Sequence, residues 1–380
     1  MGEGEASKAA PHEAPAVGGE RRFPCARCGA QLEYAPGTYE LRCIYCGAHN
    51  EIPLDETAIR ELDFEQYLAQ LADGEATEDR IISACDSCGA RIELPANVTS
   101  GPCPFCSKTV VATGRSEKLI KPSSLLPFAI GRDKARDCFS VWIRGRWFAP
   151  GDLKKAAVID GRLSGVYMPF WTYDSGAITN YPGMRGVHYW VTESYTTMVN
   201  GKPQVRTHQV RKTRWYPAAG RVRNWFDDLL VPASRSLASN RLRDLEPWDL
   251  AELKPYSDEF LAGFGAESYA VDLPTGFELA KEMMVPEIRA TIRHDIGGDE
   301  QRITTMHSSY HSITFKHILL PVWICAYRYR DKLFQILVNA RTGEVIGERP
   351  WSVWKITLAV LIGLAVVGVA VLAFVVLKKN

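Results

Sequence analysis

The chain has 380 residues, 46% hydrophobic and 23% charged, which excludes a collagen-like, coiled-coil or wholly disordered polypeptide and leaves room for two or three domains. Lys and Arg number 45 against 44 Asp and Glu, so no global positive charge draws it onto nucleic acid and any such binding is local. Eight of the ten cysteines fall into four C-x-x-C pairs, which reads as metal ligation in a reducing compartment rather than a secreted disulfide framework.

Residues 1–22 are rich in Gly, Ala, Glu and Pro without periodicity and read as a disordered tail. An internal repeat with a period of 60 residues follows: Cys25, Cys28, Cys43 and Cys46 recur as Cys85, Cys88, Cys103 and Cys106. This spacing predicts one zinc ribbon over 23–54 and a second over 83–114, built on rubredoxin-like knuckles. Two cysteines separated by two residues turn both sulfurs toward one ion, and Gly29, Gly47 and Gly89 relieve the backbone after three of the pairs. Ser107 occupies the fourth such position. Turns are expected at Tyr34-Ala35-Pro36-Gly37 and Pro95-Ala96-Asn97. Four thiolates close a coordination shell, so two structural zinc ions are expected, with no open position for a catalytic water.

Between the ribbons, 55–82 is an acidic connector: Glu51 to Arg80 carries ten acids against two arginines. Phe64, Tyr67, Leu68 and Leu71 predict a short amphipathic helix with Asp63 as its cap and its apolar stripe on a neighbouring ribbon. A connector of this length predicts ribbons that unfold independently.

Residues 115–350 read as an α+β domain with an antiparallel sheet. Ala135, Cys138, Phe139 and Trp142 form a helical stripe ended by Ala149-Pro150-Gly151, and Cys138 and Cys325 are expected in the core. Thr-, Tyr- and Val-rich runs between Val166 and Trp215, punctuated by Gly, Pro and Asn200-Gly201, predict antiparallel hairpins. Residues 225–285 look mixed or helical, and strands return over 287–347 around a turn at Asn339-Ala340-Arg341-Thr342-Gly343. Met168-Pro169-Phe170-Trp171 and Leu320-Pro321-Val322-Trp323 hint at a loose duplication. Finally, Ile356 to Leu377 is an uncharged run of 22 residues, long enough as a helix to cross ~30 Å of hydrocarbon. It predicts a tail anchor in the inner (cytoplasmic) membrane, with the bulk of the chain in the cytoplasm.

No phosphate-cradling loop, dinucleotide fingerprint, H-E-x-x-H or G-x-S-x-G is present, so no catalytic residue is named and a non-enzyme is expected. His307, His311 and His317 lie in a strand-like run whose i, i+4 members stand ~13 Å apart. Asn200 to Arg223 holds seven basic residues and no acid. Arg206, Arg211, Lys212, Arg214 and Trp215 are therefore candidate contacts for anionic lipid, through charge, or single-stranded nucleic acid, through phosphate pairing and stacking. A solvated hairpin whose arginines pair with acids elsewhere fits the same residues.

The paired CxxC motifs around Asp63-Phe64-Glu65-Gln66-Tyr67-Leu68 are joined by four further strings: Tyr167-Met168-Pro169-Phe170-Trp171-Thr172-Tyr173-Asp174, Phe226-Asp227-Asp228-Leu229-Leu230-Val231, Asp295-Ile296-Gly297-Gly298-Asp299-Glu300-Gln301-Arg302 and Val338-Asn339-Ala340-Arg341-Thr342-Gly343. On these, Phe23 to about Trp354 resembles a bacterial family of membrane-anchored zinc-ribbon proteins. That family is often catalogued under a TFIIB-type zinc-ribbon label or as primosomal protein N′ (replication factor Y)-like superfamily II helicases. The residues hold no helicase motor. The resemblance implies an adaptor or scaffold in a phage-shock-type membrane-stress system, with a phage-shock-protein-A-like or flotillin-like (SPFH) partner. The alternative is a nucleic-acid-binding protein related to replication or transcription.

Overall fold

The computed structural model describes residues 23–53, 59–72, 77–93, 100–111, 115–147, 163–199, 202–329, 332–348 and 351–379. The tail over 1–22, the Pro95-Ala96-Asn97 and Asn200-Gly201 turns and Ala149-Pro150-Gly151 lie outside the described residues. Strands β1 (Leu32–Tyr34), β2 (Glu40–Cys43) and β3 (His49–Glu51) form the antiparallel sheet of the first ribbon. Its expected turn is present, and there Gly37, at φ +83°, donates its N–H to the Phe128 carbonyl at 2.8 Å. The ribbon is thus tied to the main body at its tip.

β4 (Leu62–Asp63) leads into α1 (Phe64–Ala72), capped by the Asp63 carboxylate, which accepts from the Gln66 N–H at 2.8 Å. Its stripe packs on the main body and not on a ribbon, with Phe64 and Tyr67 each 5.1 Å, ring to ring, from Phe277 and Phe315 respectively. The second ribbon uses β5 (Glu78–Ala84), β6 (Arg91–Glu93), β7 (Ser100–Pro102) and β8 (Thr109–Val111), and β9 (Arg115–Leu119) pairs back on β5.

The main body continues with β10 (Ser124–Leu125), α2 (Arg132–Arg144), β11 (Leu163–Val199), β12 (Lys202–Pro232), α3 (Ser239–Asp244), β13 (Lys254–Pro255), β14 (Gly265–Glu267), α4 (Leu273–Ile296), β15 (Glu300–Ile303), β16 (His307–Tyr329), β17 (Lys332–Asn339), β18 (Val345–Gly347) and α5 (Val353–Lys379). Among the described residues, thirteen strands join one sheet: eight follow the path β13-β10-β16-β11-β14-β6-β5-β9, and β12 and β15 pair with β11, β4 and β17 with β16, and β18 with β17. The sheet is mixed, not purely antiparallel: β10 runs parallel to β16, and β14 parallel to β11. Both short strands arrive through long connections, so no tight turn forces an antiparallel direction.

The suspected duplication is visible as a local twofold axis. Met168 lies opposite Leu320, with Pro169 facing Leu319 and Pro321 facing Tyr167. The two prolines offer only carbonyls, and these accept from equivalent donors after the returning strands, Ala233 (3.0 Å) and Ala340 (3.1 Å). Each half therefore repeats short strand, helix, long strand and return: β10–α2–β11–β12 and β14–α4–β16–β17.

Two further expectations are corrected. The hairpins between Val166 and Trp215 are one hairpin of 37- and 31-residue strands. Its Gly and Pro residues sit inside the strands; a Cβ on Gly183 would lie 2.5 Å from the Arg302 carbonyl oxygen, so that glycine admits β15 alongside. Strands resume at Glu300 rather than 287, because Met284, Ile288, Ile292 and Ile296 form one buried stripe that carries α4 past Pro286. Cys325 is buried as expected, whereas Cys138 is half-buried.

One cavity of about 20 Å³, room for about one water, is lined by His317, Glu267, Arg80 and Tyr269. The His317 Nδ1–H donates to the Ile120 carbonyl at 3.0 Å, and burial pushes the imidazole down to about 4. Below its ordinary 6.5 the unfolded chain takes a proton that the fold refuses, so acid destabilises the fold through this residue. Glu267, pushed up to about 7 by burial, acts oppositely: its contribution is full in acid and is lost as pH rises through 7. The difference between wild type and His317→Gln isolates the first trend. Between pH 7 and pH 5 the variant should gain about 2 kcal/mol on wild type in urea unfolding; a constant gap would mean that His317 is solvated in the fold, and a gap moving the other way that it is charged there.

Candidate metal centres

Each C-x-x-C pair forms a tight knuckle. Cys25, Cys43, Cys85 and Cys103 donate their N–H to the carbonyls of Ala30, Ala48, Ala90 and Lys108 at 2.7–2.8 Å. The residue after each pair closes back on the first cysteine's carbonyl at 2.8–3.0 Å, which needs a left-handed backbone. Gly29, Gly47 and Gly89 supply it at φ +74°, +70° and +75°. Ser107 adopts it too, at φ +60°, and its hydroxyl donates to the Ala326 carbonyl of β16 at 3.1 Å. The knuckle lacking glycine is thus tied to the sheet through its own serine hydroxyl.

The knuckles bring the sulfurs together as the spacing predicts. Cys25 and Cys46 stand 3.6 Å apart and Cys28 and Cys43 3.5 Å; the pairs Cys85–Cys106 and Cys88–Cys103 both stand at 3.6 Å. In each set all four sulfurs lie within 4.8 Å of one another. A disulfide needs ~2.05 Å, whereas a tetrahedron with ~2.3 Å metal–sulfur bonds has edges of roughly 3.8 Å. Two four-thiolate sites, each fit for one ion, are therefore present. Backbone N–H groups of Arg27 and Cys28 hold the Cys25 thiol below its usual range, and the Cys46 N–H lowers Cys43 to about 6. Each set mixes directions: Cys28 in the first is raised to about 12 chiefly by the neighbouring Cys43 and Cys46 thiols. In the second, burial raises Cys88 to about 12 and lifts Cys103 while backbone N–H groups of Ser87 and Cys88 lower Cys85, so in both sets full deprotonation depends on a cation at the centre.

Each ribbon shares a core with the central sheet. Cys25 and Cys43 share a core with Phe128, Tyr167 and Trp323 on one face of the sheet. Cys85, Cys103 and Cys106 share another with Met168, Phe170 and Ile318 on the opposite face. The connector sets sequence separation, but the period-2 alternation of β11 sends neighbouring residues to both ribbons.

A third cluster escaped sequence reasoning because its members come from distant segments. Glu61, Asp174 and Asp228 bring carboxylate oxygens within 4.8 Å. The ammonium of buried Lys316 already lies among them, 3.0 Å from Glu61 and 2.6 Å from Asp228, so this is an ion-pair cluster. Burial and the neighbouring Glu61 raise Asp174 to about 6.

The basic candidates lie on the hairpin. Beyond Gly186, where β15 ends its pairing, β11 and β12 pair only with each other among the described residues, forming a two-stranded arm. Cross-strand register puts Arg206 with Tyr195, Lys212 with Tyr189 and Arg214 with Val187 on one face, and Arg211 with Trp190 and Trp215 with Gly186 on the other. The acid missing from the run comes from the facing strand: Glu193 pairs with Lys212 at 2.7 Å. The Arg214 guanidinium stacks on Tyr189 (4.9 Å), and Arg302 covers Trp215 (3.9 Å). His307 and His311 are exposed on β16, whereas His317 is buried, so the three histidines do not gather.

α5 is long and apolar enough to cross a membrane, and none of Trp354–Val371 is buried against the rest of the molecule. No family model matches the chain, and no solved structure does. Over 336 residues the chain is 25% identical to the "Uncharacterized protein YdjG" of Bacillus subtilis (strain 168), a similarity that covers 88% of this chain and 91% of that one.

Proposed function

We propose that the chain is a non-enzymatic, tail-anchored zinc-ribbon adaptor that holds a cytosolic partner at the cytoplasmic membrane. In this reading it is akin to the bacterial membrane-anchored zinc-ribbon proteins. Two structural zinc ions clamp the ribbons onto the sheet, since four thiolates suit zinc and leave no site for water. The observation that carries the reading is the length of strand that separates its two exposed elements. α5 begins beside the C-terminal end of α2, where Lys355 donates to the Trp147 carbonyl at 3.0 Å. The arm lies at the far end of β11, and the strand path from Leu163 to Trp190 is roughly 90 Å at ~3.3 Å per residue. Such a path favours a soluble partner for Arg206 and Arg211 over the bilayer that holds α5. A phage-shock-protein-A-like or flotillin-like (SPFH) protein is the partner class the sequence resemblance suggests.

A nucleic acid is the second reading. It draws on the shape of the arm, since a two-stranded ribbon fits a major groove, and on Arg206 and Arg211, which have no carboxylate partner among the described residues. The test uses detergent-solubilised full chain, wild type and a triple variant with Arg206→Ala, Arg211→Ala and Arg214→Ala, for pull-downs from its own host with and without nuclease. The expected result is a nuclease-resistant protein partner that the triple variant loses. Tight binding of single-stranded or duplex DNA whose log K falls with log salt at a slope near about -4, the release expected for about five phosphates, would replace the adaptor by the second reading.

A further inference from the structure

The end of the molecule from which α5 departs carries its own recognition chemistry. Four of the ten tryptophans gather there: Trp142, Trp147, Trp351 and Trp354. Three are well exposed, at 60% for Trp147, 58% for Trp351 and 69% for Trp354. Indole rings left this open in water are unfavourable, but at a membrane–water interface the ring and its N–H both find suitable surroundings. Lys355 precedes the uncharged run by one residue, so in an inserted α5 its ammonium stands at headgroup level. The hydrogen bond from Lys355 to the Trp147 carbonyl brings the end of α2 to the same level.

Two grooves meet at Trp351. The first, of about 610 Å³, is lined by Trp142, Arg146, Phe334, Gly347, Glu348 and Trp351. The carboxylate among its described lining residues is already engaged, because Glu348 is ion-paired with Arg241. Arg146 is exposed, stacks on Trp142 at 4.9 Å and pairs with no carboxylate among the described residues, so its charge faces the groove's contents. The second, of about 390 Å³, is a shallow, open apolar surface beside Trp351 on Ile356, Ala359 and Val360 of α5. A cationic depression at headgroup level that continues into an apolar strip of α5 surface at acyl-chain level matches the two ends of a phospholipid in order.

We infer that this paired groove binds one anionic phospholipid, its phosphate on Arg146 and an acyl chain along Ile356 and Val360, and so seats the body on the membrane in a defined orientation. The inference rests on the membrane-anchored reading above. It assigns lipid contact to the α2–α5 end, whereas the basic stretch of the arm lies at the far end of β11.

Full-length protein reconstituted in phosphatidylcholine vesicles with 30% phosphatidylglycerol tests it, with spin-labelled phosphatidylglycerol and phosphatidylcholine as the two probes. The motionally restricted fraction should favour the phosphatidylglycerol probe, and Arg146→Ala should reduce that preference about fivefold, the worth of one basic side chain at an anionic surface. Arg146→Lys should keep most of it, because the charge is retained. Equal restriction of the two probes, or an Arg146→Ala preference equal to wild type, overturns the assignment. So does millimolar glycerol phosphate displacing the restricted lipid, since a soluble headgroup would then be the ligand. Extraction of the protein by alkaline carbonate defeats the membrane anchor itself, and that outcome is read before any lipid preference.

Discussion

Removing metal should unfold the central sheet, not only the ribbons. Structural zinc in a four-thiolate site contributes roughly 10–16 kcal/mol of apparent binding free energy, as much as the whole net stability of a typical domain. Zinc bound in both sets would deliver that energy to the sheet directly, since each set of cysteines shares a core with one face of the Tyr167–Phe170 segment. Cys43→Ser removes a fully buried ligand and leaves three thiolates competing for protons. Hydrogen exchange on the soluble part of the chain should then show loss of protection in β1 and β2 together with the segments around Tyr167 and Trp323. Cys103→Ser should expose the opposite face through Met168 and Ile318. Elemental analysis of wild type should find two zinc ions per chain. Loss of protection confined to residues 23–53 in Cys43→Ser would show that ribbon and sheet are energetically separate despite their shared core.

Deleting residues 356–380 should move the protein from the membrane to the soluble fraction without unfolding it. Fifteen of the 22 residues from Ile356 to Leu377 are Leu, Ile, Val or Phe, and at about -0.3 to -0.6 kcal/mol each they favour insertion by about 5–9 kcal/mol. The body does not depend on them, because Trp354–Val371 buries nothing against it. The truncated chain should keep its metal content and its thermal midpoint. A reporter after Asn380 should face away from the cytoplasm; a cytoplasmic reporter on a membrane-bound protein would mean an interfacial helix instead.

What the sequence by itself determined is what covalent spacing and composition control. The eight cysteines sit at intervals that a knuckle closes locally, so their grouping into two sets follows from residues at most 21 apart. The apolar run at 356–377 needs only its length, and the Asn339 turn only its own side chain, which accepts from the Arg341 N–H at 2.8 Å. The tertiary structure decided everything that depended on which distant segments meet. Gly183 and Pro217 look like punctuation, yet they lie within continuous strands because β15 and β12 pair there. Pro286 reads as a helix end, yet burial of Ile288 and Ile292 against the sheet outweighs the lost hydrogen bond. The arginine-rich run looks acid-free until Glu193 arrives from the opposite strand. The ribbons, a connector apart in sequence, became two sides of one clamp because successive side chains of β11 point to opposite faces. Local signals are carried by a few neighbouring residues, whereas pairing between distant segments is decided by the total burial it achieves, which no short stretch encodes.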